Sequence, residues 1–126
     1  MGRTLILAHD VGTSSDKAVL FDDHFNFLAE AVYKYDTYYP EARYNEQDPN
    51  IWWEALKATT KEVVHKAGVN PADIKALSFS TQGMALIPID KSGELLTNRV
   101  MIWSDARPIE EAAEIDRKSV RDADMR

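Results

Sequence analysis

Short apolar runs separated by polar turns fill the first part of the chain. Residues 4–9 form one run that ends at Asp10; Gly12-Thr13-Ser14-Ser15 breaks it, and Ala18-Val19-Leu20-Phe21 resumes it. Two such runs around a Gly/Ser turn predict a β-hairpin. Asp22-Asp23-His24 is a second turn, and Phe27 to Tyr35 predicts a third strand of the same antiparallel meander. Residues 36–47 are polar and aromatic, with one Pro, and read as a loop.

The period changes at Asp48-Pro49. Asp can cap the first free amides of a helix, and Pro is preorganised for its first turn. Ile51, Trp52, Ala55, Leu56, Thr59, Val63 and Ala67 follow near helical spacing, and Gly68 is placed to close the helix. Asn70 to Asp73 is a turn. Strands are predicted at Ile74–Ser80, Ala85–Ile89 and Val100–Trp103, with a turn at Asp90-Lys91-Ser92-Gly93. A last helix runs from Pro108 to about Val120, its first turn carrying Glu110 and Glu111 as the helix dipole favours. The order β-β-β-α-β-β-β-α implies an α/β fold with parallel pairing in a mixed sheet. Residues 121–126 are charged and carry no terminating signal. The expectation is an incomplete domain, residues 1–126 being the N-terminal part of something larger.

Composition narrows the function classes. The 126 residues hold 15 Lys plus Arg against 21 Asp plus Glu, a net charge of −6, with 44% hydrophobic residues and no Cys. Such a chain can bury a core. It lacks the basic footprint of a nucleic-acid binder, so no nucleic-acid partner is expected. Without Cys there is no disulfide, thiolate nucleophile or Cys-ligated zinc. His24 and His65 lack metal-ligand spacing to another His. No apolar run reaches the ~20 residues of a membrane span. Gly2 lacks the Ser or Thr that myristoylation asks for at position 6, which is Ile6. A cytoplasmic protein with no membrane partner is expected.

The first chemical candidate is Asp10-Val11-Gly12-Thr13-Ser14-Ser15-Asp16-Lys17. An acid at a strand end faces a tight turn of small residues, backbone amides and hydroxyls. Such a turn can cradle phosphate oxygens, Lys17 can add a point charge, and Asp10 can hold Mg²⁺ directly or through water. An ordinary hairpin turn is the competing reading. The pattern is not a Walker A loop. The second candidate, Thr81-Gln82-Gly83-Met84, joins two apolar runs; Gln82 offers a donor and an acceptor suited to hydroxyls, while Gly83 would also serve a plain turn. The third is Trp103-Ser104-Asp105-Ala106-Arg107. Trp103 can wall a pocket with its apolar face, Asp105 can bind a hydroxyl or cap a turn, and Arg107 is read as an ion-pair partner. Trp52 and Trp53 read as core anchors of the helix, and Tyr33, Tyr35, Tyr38, Tyr39 and Tyr44 as packing residues.

Four blocks in order resemble one family. "AHDVGTSSDKAVLFD", "YNEQDPNIWWEAL", "IKALSFSTQGMALIPIDKSGELL" and "RVMIWSDAR" are similar to the successive N-terminal segments of the FGGY carbohydrate kinases, the family of xylulokinase, gluconate kinase and glycerol kinase. The resemblance implies a ribonuclease H-like fold of the actin-like ATPase superfamily and ATP-dependent phosphorylation of a sugar or polyol, with ATP and Mg²⁺ as cofactors. It implies that Asp10 serves the metal–phosphate site, that Gly12, Thr13, Ser14 and Ser15 line the nucleotide phosphates, and that Lys17 fills a basic position after the turn. It matches Gln82 to a recurring Gln whose two successors touch substrate. Those successors resemble Met-His in xylulokinases and Arg-Glu in glycerol kinases, and here they are Gly83-Met84. His9 departs from the usual aliphatic residue before Asp10 and is read as a buried, hydrogen-bonded His.

The resemblance also implies that the catalytic base and the adenine pocket lie beyond Arg126. The 126 residues alone are therefore expected to be inert and to need the remainder of a kinase chain, with a homodimer as one form of assembly. A xylulokinase-like acceptor is favoured, ahead of gluconate- or glycerol-kinase-like ones. The alternatives are another member of the superfamily, a ribonuclease H-type nuclease built on Asp10, and a non-catalytic truncated sugar-binding module or subunit.

Overall fold

A computed structural model describes the backbone of residues 3–123 and the side chains of residues 3–119. The readings made for Gly2 and for residues 124–126 lie outside them. Three consecutive strands, β1 (Leu5–Val11), β2 (Ser15–Asp22) and β3 (Phe27–Lys34), form the expected antiparallel meander. The chain then leaves the sheet, forms β4 (Glu46–Gln47) and enters helix α1 (Pro49–Ala67). A short 3-10 turn at Pro71–Asp73 leads into β5 (Ile74–Thr81), which lies parallel to β1. The sheet order is β3-β2-β1-β5, so α1 is the crossover that a parallel pair requires.

Both ends of α1 follow local chemistry. The Asp48 carboxylate accepts the Asn50 amide N–H, and Pro49 occupies the first turn. At the other end Gly68 takes the left-handed conformation, φ 60°, and its N–H returns to the His65 carbonyl. A Cβ at Gly68 would meet open space, so only backbone strain opposes a side chain there. Gly68→Ala is expected to cost about 1 kcal/mol, measured by urea denaturation.

The core lies between α1 and one face of the sheet. Leu5, Leu7, Ala18, Leu20, Ala29 and Ala31 pack with Val63 there. The buried stripe of α1 is Ala55, Thr59 and Val63, small residues at a spacing of four that let the helix approach the strands closely. Trp53 sits two positions before Ala55, about 200° round the helix. It is 60% exposed, with the Lys57 ammonium 5.9 Å from its ring. The core-anchor reading of Trp53 is therefore corrected; Trp52 is half-buried and does polar work described below.

Three further expectations change. Ala85–Ile89 is not a strand. Met84 turns the backbone into the left-handed region at φ 57°, and Pro88 removes a donor from the middle of the segment. What remains is a loose ribbon, with Ile89 bridged to Leu95 around the Asp90–Gly93 turn. The Val100–Trp103 strand shrinks to β6 (Val100–Met101), which pairs with β4 in a separate two-stranded ribbon instead of joining the main sheet. Residues 36–47, read as loop, contribute β4 to that ribbon. The last helix, α2 (Ile109–Ala123), forms where expected, and its described side chains are exposed. Among the described residues no helix is long and apolar enough to cross a membrane.

Candidate functional site

Because β1 and β5 run in parallel, their C-terminal ends lie side by side: Val11 is paired with Thr81 and Asp10 with Ser80. Ligands of α/β sheets collect outside the carboxyl ends of such strands. The three candidate segments meet at this edge. The Gln82 N–H donates to the Val11 carbonyl at 2.8 Å, and the Trp103 indole N–H donates to the Thr13 hydroxyl at 3.0 Å.

The hairpin between β1 and β2 is held from behind. Gly12 N–H closes the tight turn on the Ser15 carbonyl, so this amide is not among those free to meet a phosphate. The Gly12 carbonyl accepts the Tyr35 hydroxyl at 2.6 Å, the Thr13 carbonyl accepts the Gln47 amide at 2.6 Å, and the Ser14 carbonyl accepts the Tyr35 N–H at 3.1 Å. Burial, and then the charges of Asp16 and Asp10, push the Tyr35 phenol well above its ordinary pKa, so it stays a donor. With the carbonyls tied down, the N–H groups of Thr13 and Ser14 have no acceptor among the described residues. Two unpaired N–H groups beside hydroxyls are the donor set that an anion needs.

Asp10 is exposed at the strand end and has no hydrogen-bond or ion-pair partner among the described residues. Lys17 lies directly across from it on β2 and is also exposed. The two border a shallow cavity of about 290 Å³ with Ala8, Val19, Ser78 and Ser80. His9 points the other way, into the core, as expected. Its Nδ1 lies 3.0 Å from the Asp16 carboxylate, its Nε2 3.1 Å from the Thr60 hydroxyl, and its ring stacks on Phe79. Asp16 also accepts the Thr59 hydroxyl, and both charged-type side chains are fully buried. This network joins β1, β2 and α1 directly beneath the turn.

The sugar-side candidates divide. Gln82 sits at the β5 end, beside a cavity of about 300 Å³ lined by Val11, Trp52, Thr81, Met84, Ala85 and Ile87. Met84 and Trp103 are exposed, at 86% and 54%, and Gly83 is exposed between Gln82 and Met84. Asp105 is occupied. Its carboxylate accepts the Asn45 N–H at 2.8 Å and is held by the Arg107 guanidinium at 2.8 Å, with its side chain only 2% exposed. Of its two readings, bracing the turn is the one the geometry carries. Arg107 also pairs with Glu46 at 2.9 Å and lies over the Tyr44 ring, as its ion-pair reading expects.

The hydrogen bonds from Arg107 hold the Asp105 carboxyl down at about 2. A carboxylate whose folded pKa lies below its unfolded value near 4 stabilises the fold above that value, and its contribution is lost as pH falls towards 2. Asp105→Asn is expected to lower stability at neutral pH and to flatten the loss of stability between about pH 4 and 2, read by denaturant titration across that range.

Gln47, Thr37 and Asn45 were not singled out from sequence, and Tyr35 was read only as a packing residue. Gln47 is wholly buried and central, yet it sits in a polar loop stretch with no periodicity; the only signal was its place before Asp48-Pro49 and the Trp pair.

The strand order and the parallel crossover define the class: an α/β domain of the actin-like ATPase fold, represented here in part. Residues 5–125 match the model of the N-terminal domain of the FGGY family of carbohydrate kinases, and the chain belongs to that family. It is 35% identical over 113 residues to a glycerol kinase of Thermococcus onnurineus, covering 90% of this chain and 23% of that protein. It is 32% identical to a xylulose kinase of Staphylococcus epidermidis, covering 85% and 21%. Among solved structures, a xyloylose kinase from Brucella ovis superposes with a TM-score of 0.86 at 28% identity, over 92% of this chain and 24% of that one. The chain thus spans about a fifth to a quarter of the length of these relatives. The family assignment sets aside the nuclease and the other superfamily members.

Proposed function

We propose that the complete protein carrying this chain transfers the γ-phosphoryl group of ATP to a hydroxyl of a sugar or polyol. The single observation that carries the reading is the β1–β2 turn. Its carbonyls are tied by hydrogen bonds, two N–H groups and the Ser14 hydroxyl have no partner among the described residues, and Asp10 and Lys17 flank it on one face.

Phosphoryl transfer is largely a matter of positioning and of neutralising developing charge. Thr13 and Ser14 N–H groups, with the hydroxyls of Ser14 and Ser15, hold phosphate oxygens in this reading. Lys17 adds positive charge from the neighbouring strand. Mg²⁺ is commonly held by one or two carboxylates plus phosphate oxygens, and an exposed, unpartnered Asp10 fits that role. Bound there, the ion would neutralise phosphate charge. Gln82, Gly83, Met84 and Trp103 form the acceptor side, while Asp105 braces the loop that carries Trp103. The base that takes the hydroxyl proton belongs to the remainder of the kinase chain.

A xylulose-like ketose is the favoured acceptor, with gluconate and glycerol next. Gly83-Met84 matches neither the xylulokinase-like Met-His pair nor the glycerol-kinase-like Arg-Glu pair, so the preference is supported by the superposition on the Brucella ovis kinase instead. Cytoplasmic placement is proposed with the activity. The test is ADP release by the complete protein with ATP, Mg²⁺ and each of xylulose, gluconate, glycerol and a wider panel of polyols. Turnover that needs both ATP and one acceptor supports the reading. Acceptor binding with no turnover supports the alternative of a non-catalytic sugar-binding module.

A further inference from the structure

Gln47 is completely buried, and its carboxamide uses every hydrogen-bonding position it has. Nε2 donates to the Thr13 carbonyl at 2.6 Å and to the Thr37 hydroxyl at 2.8 Å. Oε1 accepts the Trp52 indole N–H at 2.9 Å and the Gln82 amide at 2.8 Å. A carboxamide has two N–H donors and one oxygen with two lone pairs, so the group is saturated.

The polarity of this arrangement is forced. An indole N–H can only donate, and a backbone carbonyl can only accept. Trp52 therefore fixes the oxygen end of Gln47, and Thr13 fixes its nitrogen end. Gln82 must then turn its own nitrogen towards Gln47, which leaves its oxygen at the other end. That oxygen, Gln82 Oε1, is buried and has no partner among the described residues. A buried acceptor left unmet is costly, and most such groups in folded proteins find a donor.

We infer that Gln47 is a positioning residue that holds the phosphate turn at Thr13 and the carboxamide of Gln82 on one rigid amide, so that Gln82 offers its carbonyl oxygen to a hydroxyl of the acceptor sugar. The inference rests on the proposed kinase function and adds to it a polarity: at this point the substrate donates. It also gives the two half-sites a direct connection. Gln47 touches neither sugar nor nucleotide and acts through Thr13 and Gln82.

The test is a double-mutant cycle in the complete protein, with Gln47→Met and Gln82→Met made singly and together, reading KM for the preferred acceptor and kcat. Loss of a neutral hydrogen bond to substrate corresponds to about a three- to tenfold rise in acceptor KM. If Gln47 acts through Gln82, each single variant shows that rise, and the double variant is no worse than Gln82→Met alone. Fully additive effects overturn the positioning role while leaving the kinase reading intact. Should Gln47→Met fail to fold, Trp52→Phe serves instead. It removes the indole N–H that holds the oxygen end of Gln47, together with part of the ring, and it is expected to raise acceptor KM in the same range without the Gln82→Met background adding to it. An unchanged acceptor KM in Trp52→Phe overturns the polarity argument. If the wild-type protein neither binds nor phosphorylates any polyol, the kinase reading and the positioning role fall together.

Discussion

Asp10→Asn is expected to reduce sugar phosphorylation by the complete protein by about 100- to 1000-fold while leaving its fold intact. The size follows from what the carboxylate is asked to do. It is the exposed acid at the end of β1, level with Lys17 on one side and Ser80 on the other. Asparagine keeps the shape and loses the charge, so metal and phosphate are held less well at the moment charge builds up. Stability should barely change, because Asp10 has no partner among the described residues. Single-turnover kinetics with saturating ATP and Mg²⁺ separate this loss from weaker nucleotide binding. A variant that keeps more than about half the activity would remove Asp10 from the phosphate site.

The largest stability effect is expected one layer below. Asp16 is fully buried and takes hydrogen bonds from His9 and Thr59. Asp16→Ala leaves the His9 Nδ1 without its partner inside the α1–sheet interface, while the Thr59 hydroxyl can still donate to the Ala55 carbonyl; with the cavity it opens, the change costs about 3 kcal/mol. A fall in melting temperature on the order of 10 °C follows for a domain of this size. Replacing His9 and Asp16 together by Leu and Val should cost much less than Asp16→Ala alone, because no buried imidazole is left without its partner. Calorimetric melting of both variants checks the pair. Equal losses in the two would show that packing, and not the network, holds this interface.

Much of the frame was legible from local chemistry. The hairpin, the meander, both caps of α1 and strand β5 depend on neighbours in sequence: a Gly/Ser break between apolar runs, Asp48 before Pro49, Gly68 after Ala67. The ribbon of β4 and β6 was not legible, because two-residue strands some fifty positions apart leave no periodicity to read. Ala85–Ile89 misled for the opposite reason. Its apolar content suits a strand, but Met84 turns the backbone just before it and Pro88 removes a donor within it.

The site divides the same way. Asp10, the turn and Gln82 carried chemistry in their residue types and places. Gln47 did not, since a buried glutamine is recognised only by what surrounds it. His9 shows both cases at once: its burial was readable from a strand pattern, whereas its partner Asp16, seven positions on, appears only when β1 and β2 are folded together. Trp53 failed as a core anchor because helical phase, not apolarity, decides which side faces the sheet.

The most direct test is phosphorus NMR of the complete protein with ATP, Mg²⁺ and the acceptor chosen by the panel. The expected result is a new phosphomonoester resonance that grows in step with ADP, requires the sugar, and is lost in Asp10→Asn. ADP and free inorganic phosphate with no sugar phosphate, or a phosphomonoester that persists at the full rate in Asp10→Asn, would contradict it.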